Sequence, residues 1–314
     1  MDLLSDILES IRLKKLKAVI YPKITVSKKS WGIEIPEDNR SQFWRLLKGT
    51  CYLKMNGEAA IKMKEGEIFF IPHGASHQIS GNPQNKCVPA DQYGKALRDG
   101  APLFKGSDEE TVLMGGHFEI DPSFKHPFVN SLPKLMHITA MQSELCFWLN
   151  NVAAFMNDEI SYEQPGTKVI LARLADIIFI LIVRAYLNQE HIEQGFLRAL
   201  KDERVSSSLK IMHEFPEKEW TIEQLATKAG MSRSLYCKEF KISVGETPMS
   251  YLTNWRIIKS KEFLLVTKEN ISEVAARVGY QSEAAFNRIF KTKVGVTPAN
   301  YRRTNIGQDR NTGH

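Results

Sequence analysis

The 314 residues predict an α+β chain of two domains. The first domain pairs a small β-barrel or sandwich with helices, and the second is all-α with two helix-turn-helix motifs. Three observations carry this reading. Short strand-like runs separated by turn pairs fill residues 18–82. The hydrophobic period becomes helical from Leu135. One stretch near the C-terminus occurs twice.

In chain order, Met1–Lys17 is amphipathic, is interrupted by Asp2, Asp6 and Glu9, and has no small-residue cleavage site, so it does not read as a signal peptide. Strands are expected over Ala18–Val26, Phe43–Leu47, Thr50–Met55 and Glu67–Ile71, with turns at Lys48-Gly49, Asn56-Gly57 and Glu65-Gly66. Asn56-Gly57 is a hairpin signal because both residues tolerate positive φ. Ser80–Ser107 reads as a polar excursion and Val112–Ile120 as a returning strand. Met136–Met156 and Thr167–Asn188 read as long helices split by the Gln164-Pro165-Gly166 turn, and Gly195–Val205 bridges onward. These two helices are the candidate dimer surface. The expected divisions are 1–134 for the barrel, 135–200 for a helical dimerisation region, 206–303 for the repeat domain and 304–314 for a polar, disordered tail.

The net charge of +6 is placed unevenly. Residues 206–314 carry 17 Lys and Arg against 11 Asp and Glu, whereas the 25 basic and 25 acidic residues before them cancel. The excess sits with the repeat, as phosphate binding requires. Val169–Leu187 is the most apolar run, but Arg173, Asp176 and Arg184 suit a buried or dimer-forming helix better than a membrane span. Cys51, Cys87, Cys146 and Cys237 lack C-x-x-C spacing and read as free thiols of a cytoplasmic protein.

Ile222, Ala226 and Gly230 recur 49 residues later as Ile271, Ala275 and Gly279. Ser232, Phe240, Lys241, Gly245, Thr247, Pro248 and Tyr251 recur 50 residues later as Ser282, Phe290, Lys291, Gly295, Thr297, Pro298 and Tyr301. Thr221 with Gln224, and Asn270 with Glu273, are capping boxes that open a helix. Gly230 and Gly279 make the turn, and Ser232 and Ser282 cap the next helix. Thr247-Pro248 and Thr297-Pro298 start the helix after that. Tyr236 and Phe240, then Phe286 and Phe290, should face the core. That turns Arg233, Ser234, Cys237, Lys238 and Lys241 outward in the first copy, and Glu283, Ala284, Asn287, Arg288 and Lys291 in the second. Arg288 suits guanine, Asn287 adenine and Glu283 a cytosine amino group, while Lys241 and Lys291 suit phosphates. The linking helix Pro248–Val266 would span roughly 28 Å, enough to place the two reading helices in successive major grooves.

Residues 206–303 resemble the DNA-binding domain of the AraC/XylS-type transcription regulators. The resemblance rests on Gly230-Met231-Ser232, Gly245-x-Thr247-Pro248-x-x-Tyr251-Leu252, Arg256, Val278-Gly279-Tyr280-x-Ser282, Phe286-x-Arg288-x-Phe290-Lys291 and Gly295-x-Thr297-Pro298-x-x-Tyr301-Arg302. It implies base contacts from Ser234, Cys237, Lys238, Glu283, Ala284, Asn287 and Arg288. Cys237 and Lys238 depart from the usual pattern. Trp44–Ser80 resembles the cupin sensor domain of one subgroup, through Leu47-x-Gly49-x-Cys51-x-Leu53 and Ile71-Pro72-His73-Gly74-x-x-His77. The resemblance to this subgroup, which includes sensors of reactive chlorine species, implies a cupin-like barrel that senses a small molecule or oxidant, helices that form a homodimer, and RNA polymerase as partner.

No cofactor is expected. A metal held by His73 and His77, completed by Cys87 or His117, is the exception, and it is weakened by Trp44 standing where cupins often place a ligand histidine. Cys87, beside Lys86, and Cys51 are candidate oxidant sensors, with Cys51 expected to be buried. The leading reading is a DNA-binding activator and not an enzyme. A cupin enzyme fused to a DNA-binding domain, and a constitutive DNA-binding protein with a barrel used only for dimerisation, stand as alternatives.

Overall fold

The computed structural model describes residues 2–15, 17–20, 24–26, 30–101, 103–104, 110–119, 126–139, 143–162, 164–188 and 195–311. Their contacts form two compact units. One comprises Lys15–Ile120 and Pro133–Glu190; the other comprises Met1–Lys14, Asp121–Leu132 and His191–His314.

The strands are β1 (Lys17–Ile20), β2 (Ile24–Val26), β3 (Gly32–Ile35), β4 (Ser41–Lys48), β5 (Cys51–Met55), β6 (Ile61–Met63), β7 (Ile68–Ile71), β8 (His77–Ser80), β9 (Val88–Pro89), β10 (Thr111–Glu119) and β11 (Met136–Ile138). The helices are α1 (Leu3–Lys15), α2 (Ala90–Arg98), α3 (Pro127–Asn130), α4 (Ser143–Tyr162), α5 (Thr167–Leu187), α6 (Phe196–Lys201), α7 (Glu203–Glu214), α8 (Ile222–Lys228), α9 (Arg233–Val244), α10 (Pro248–Val266), α11 (Ile271–Arg277), α12 (Glu283–Val294) and α13 (Pro298–Asn311).

In the barrel unit one sheet runs β1-β10-β4-β7-β11, with β2 also on β10, and the other runs β6-β5-β8-β3-β9. Strand alternation sends Trp44, Leu46, Phe69, Ile71 and Leu113 into a core with Trp31, Leu53, Met55 and Met63 from the second sheet and its approach. The opposite side of the first sheet carries Phe43, Phe70 and Phe118. Phe179 of α5 meets Phe70 and Phe118 at ring-centroid distances of 5.8 and 5.5 Å. Both faces of β4 are therefore covered, which is why its first six residues are all buried. Gly115 of β10 crosses directly over Trp44, where a Cβ would lie 2.4 Å from the indole ring.

Several expectations change here. Met136–Ile138 is a strand and not the start of a helix, because Met136 and Ile138 pair with Phe70 and Ile68 of β7. The helical period begins at Ser143. The Asn56-Gly57 hairpin forms, but the last β5–β6 pair is Leu53 with Ile61, so the loop is longer than two residues. The polar excursion contains α2, anchored by buried Tyr93. The long helices α4 and α5 group with the barrel and form no separate region, while α1 and α3 group with the repeat. Finally, α13 continues to Asn311, past the point where the polar composition predicts a disordered tail.

In the helical unit the two copies repeat in geometry as well as in sequence. Tyr236 and Phe240 meet at 5.5 Å and 62°, and Phe286 and Phe290 at 5.5 Å and 61°. Phe240 meets Tyr251 at 5.8 Å and 71°, and Phe290 meets Tyr301 at 5.6 Å and 71°. Both capping boxes are closed in both directions. Ser232 and Ser282 cap α9 and α12, and Thr247 caps α10 with Pro248 in its first turn. The linking helix α10 spans the predicted residues, Pro248–Val266.

Candidate nucleic-acid interface and sensor barrel

Burial of Tyr236, Phe240, Phe286 and Phe290 fixes the rotation of α9 and α12. Arg233, Ser234, Lys238 and Lys241 are exposed on α9, with Cys237 half-buried among them. Glu283, Ala284, Arg288 and Lys291 are exposed on α12, with Asn287 half-buried. Two of these side chains already have partners. Arg233 pairs with Glu223 at 2.8 Å, which ties the entry of α9 to α8, and Asn287 lies 3.5 Å from Glu283. Hydrogen-bonding groups of both signs on the second face, against a hydroxyl, a thiol and a lysine on the first, give the two helices different chemistry to present to base edges.

A polar chain that no sequence spacing reveals lies behind the first motif. His126 accepts from the Phe128 amide through Nδ1, so its Nε2–H points to the Tyr251 hydroxyl at 3.2 Å. Tyr251 in turn donates to His213 Nε2 at 2.6 Å. His213 Nδ1 faces Asp6 Oδ2 at 3.7 Å and its ring stacks on Trp255 with centroids 3.6 Å apart. These residues come from α1, the start of α3, α7 and α10. Burial holds His126 well below the ordinary imidazole value, reinforced by His213. Burial also lowers His213, against the opposing pull of Asp6.

In the barrel, His77 heads β8 and is 1% exposed. Its Nε2 accepts from Trp44 Nε1 at 2.9 Å, and its Nδ1 gives its hydrogen to Ala75 O at 2.9 Å. Both ring nitrogens are thus engaged and burial lowers the group to about 4. His73 stands exposed on the β7–β8 turn, and His117 is buried on β10 with Arg40 Nη1 3.4 Å from its Nε2. The candidate ligands for a metal are His73 and His77. No group of three or more His, Cys, Asp or Glu suited to one occurs among the described residues, and the indole of Trp44 takes the lone pair that His77 would offer.

Of the described barrel thiols, Cys87 differs from expectation and Cys51 is buried as expected. Cys87 is half-buried, and burial together with nearby Glu34 raises its pKa, while Lys54 opposes this. The expected lowering by Lys86 is not what governs it. Cys51 is fully buried beside Met63, with Sγ and Sδ 3.7 Å apart, and burial pushes it up to about 12. The side chain of Cys146 lies outside the described residues. A groove of about 420 Å³ runs beside the β5–β6 loop, lined by Glu34, Lys54, Glu58, Ser76 and Gln78 among others.

A family described as cupin matches residues 2–188, and one described as helix-turn-helix domain matches residues 225–304. The HTH-type transcriptional regulator AlkR of Acinetobacter baylyi is 31% identical over 307 residues, covering 96% of this chain and 99% of that protein.

The chain belongs to the AraC-type transcription regulators with an N-terminal cupin domain.

A putative AraC-like transcription regulator of Streptomyces lividans is 27% identical over 96% of this chain and 98% of its own length. The RCS-specific HTH-type transcriptional activator RclR of Escherichia coli is 26% identical over 82% of this chain and 88% of its own length. As a member of this family the chain is a DNA-binding transcription regulator. No helix among the described residues is long and apolar enough to cross a membrane.

Proposed function

We propose that this regulator is a cytoplasmic homodimeric activator and not an enzyme. In this reading α9 and α12 read successive major grooves of one operator half, and the barrel takes the signal. The observation that carries it is the pair of outward faces set by the same aromatic geometry. Ser234, Cys237, Lys238, Glu283, Ala284, Asn287 and Arg288 are assigned to base edges, and Arg233, Lys241 and Lys291 to the backbone. RNA polymerase is the partner this reading expects, and one relative is named a transcriptional activator.

Dimerisation is assigned to α4 and α5. Trp148, Phe155 and Tyr162 recur every seven residues on α4 and are 57%, 50% and 74% exposed, with Val169 and Ile177 exposed on α5. Large aromatics at heptad spacing fit a second copy of the same helix pair. The signal is a small molecule or an oxidant. Cys87 is the more accessible of the two described barrel thiols, and a protonated thiol there favours slow oxidation by a strong oxidant over rapid thiolate chemistry. Operator affinity measured with and without hypochlorite, for wild type and Cys87→Ser, tests the oxidant arm. A response lost in Cys87→Ser supports it, and identical responses contradict it. The catalytic alternative finds no support in His77, whose ring nitrogens are both engaged.

A further inference from the structure

Arg256 sits in the middle of α10 and is not part of the repeated unit, since the position 50 residues later is Ile306. The helix-turn-helix fold is made twice and this arginine is used once. Its side chain reaches out of the linking helix to the turn that precedes α8. Nε donates to Pro216 O at 2.6 Å and Nη2 donates to Lys218 O at 2.9 Å. The guanidinium also lies over the Tyr280 ring, 5.7 Å from its centroid. Tyr280 belongs to the turn of the second motif, directly before α12.

Other contacts close the same junction. Gly279 has φ +88°, and a Cβ there would stand 2.7 Å from Glu217 O and 2.8 Å from Arg256 Nη2. The glycine thus serves more than the turn itself, because the two turns approach too closely for any side chain. Gln281 Nε2 donates to Glu219 Oε1 at 3.0 Å. Residues 216–219 lead into the first motif and residues 279–281 into α12, so these contacts join the frames of the two reading helices directly. A helix of 19 residues alone would leave each motif tied to only one end of a rod.

We infer that Arg256, with Gly279 and the Glu219–Gln281 pair, is a spacing determinant. It fixes the separation and angle of α9 and α12 before DNA is met, and so restricts the regulator to one distance between its two base-reading sites. Arg256 is a positioning residue, since its guanidinium is spent on protein carbonyls. Preorganisation of this kind cuts the ordering cost of binding the correct spacing and penalises the others. The inference rests on the two-groove reading proposed above.

The test is selection from a pool of random-sequence duplexes, carried out in parallel on the full-length wild type and Arg256→Ala, with the spacing between the two enriched motifs scored. The expected result is one dominant spacing for wild type and a spread of about one base pair either side for the variant, with base preferences inside each motif unchanged. A purely structural role would weaken binding at every spacing and leave the preferred one alone, so a single unchanged spacing in Arg256→Ala overturns the inference. Should that variant not fold, Glu219→Ala with Gln281→Ala, both on the surface, carries the same comparison under the same criterion. A wild-type pool with only one motif overturns the two-groove reading itself and the inference with it.

Discussion

At the residue scale, Trp44 and His77 show how a neighbour decides what an imidazole can do. With Nε2 filled by the indole and Nδ1–H given to Ala75 O, His77 is held neutral and lowered to about 4. The unfolded chain takes up the proton first, near pH 6.5, so stability is full above that value and is lost as pH falls toward about 4. Across that window the barrel is predicted to lose roughly 3 kcal/mol. Thermal melts between pH 7.5 and 4 should show this slope, and His77→Gln should flatten it. His126 and His213 are shifted in the same direction, so the helical unit should also weaken below the ordinary imidazole value. On the reading face, Arg288→Ala should relax preference at one base pair and cost about 1–3 kcal/mol, measured by affinity against single-base operator variants.

At the scale of elements, legibility followed the range of the forces involved. The linking helix α10 was readable to its ends because a Thr cap and a Pro in the first turn act locally. The capping boxes at Thr221 and Asn270 were readable for the same reason. Thr221→Ala or Asn270→Ala should each cost about 1 kcal/mol in urea unfolding followed by helical signal. β11 was not readable, because its pairing with β7 is decided by residues far away in sequence and by the alternation of only three positions. The outward faces of α9 and α12 could be deduced from aromatic spacing. The Asp6–His213–Tyr251–His126 chain could not, since each member comes from a different segment. The Trp44 indole on His77, which occupies the nitrogen a metal would use, is likewise recorded by no motif.

At the scale of the whole molecule, the units do not follow the order of the chain. Residues of α1 and α3, from the first half of the sequence, complete the core behind the first motif, and α4 and α5 belong with the barrel. A domain reading by consecutive residues places these segments elsewhere, because composition carries no information about which core they enter. The exposed Trp148, Phe155 and Tyr162 predict a second copy on α4. Phe155→Glu with Trp148→Glu should halve the mass found by sedimentation while leaving the helical content intact. In the proposed complex two unequal helices, α9 and α12, grip DNA together. Hydroxyl-radical footprinting on a selected duplex tests it most directly. Two protected windows per chain are expected, about one helical turn apart on the same face, with Arg288→Ala weakening contacts in one window only. A single protected window, or equal weakening of both, would contradict it.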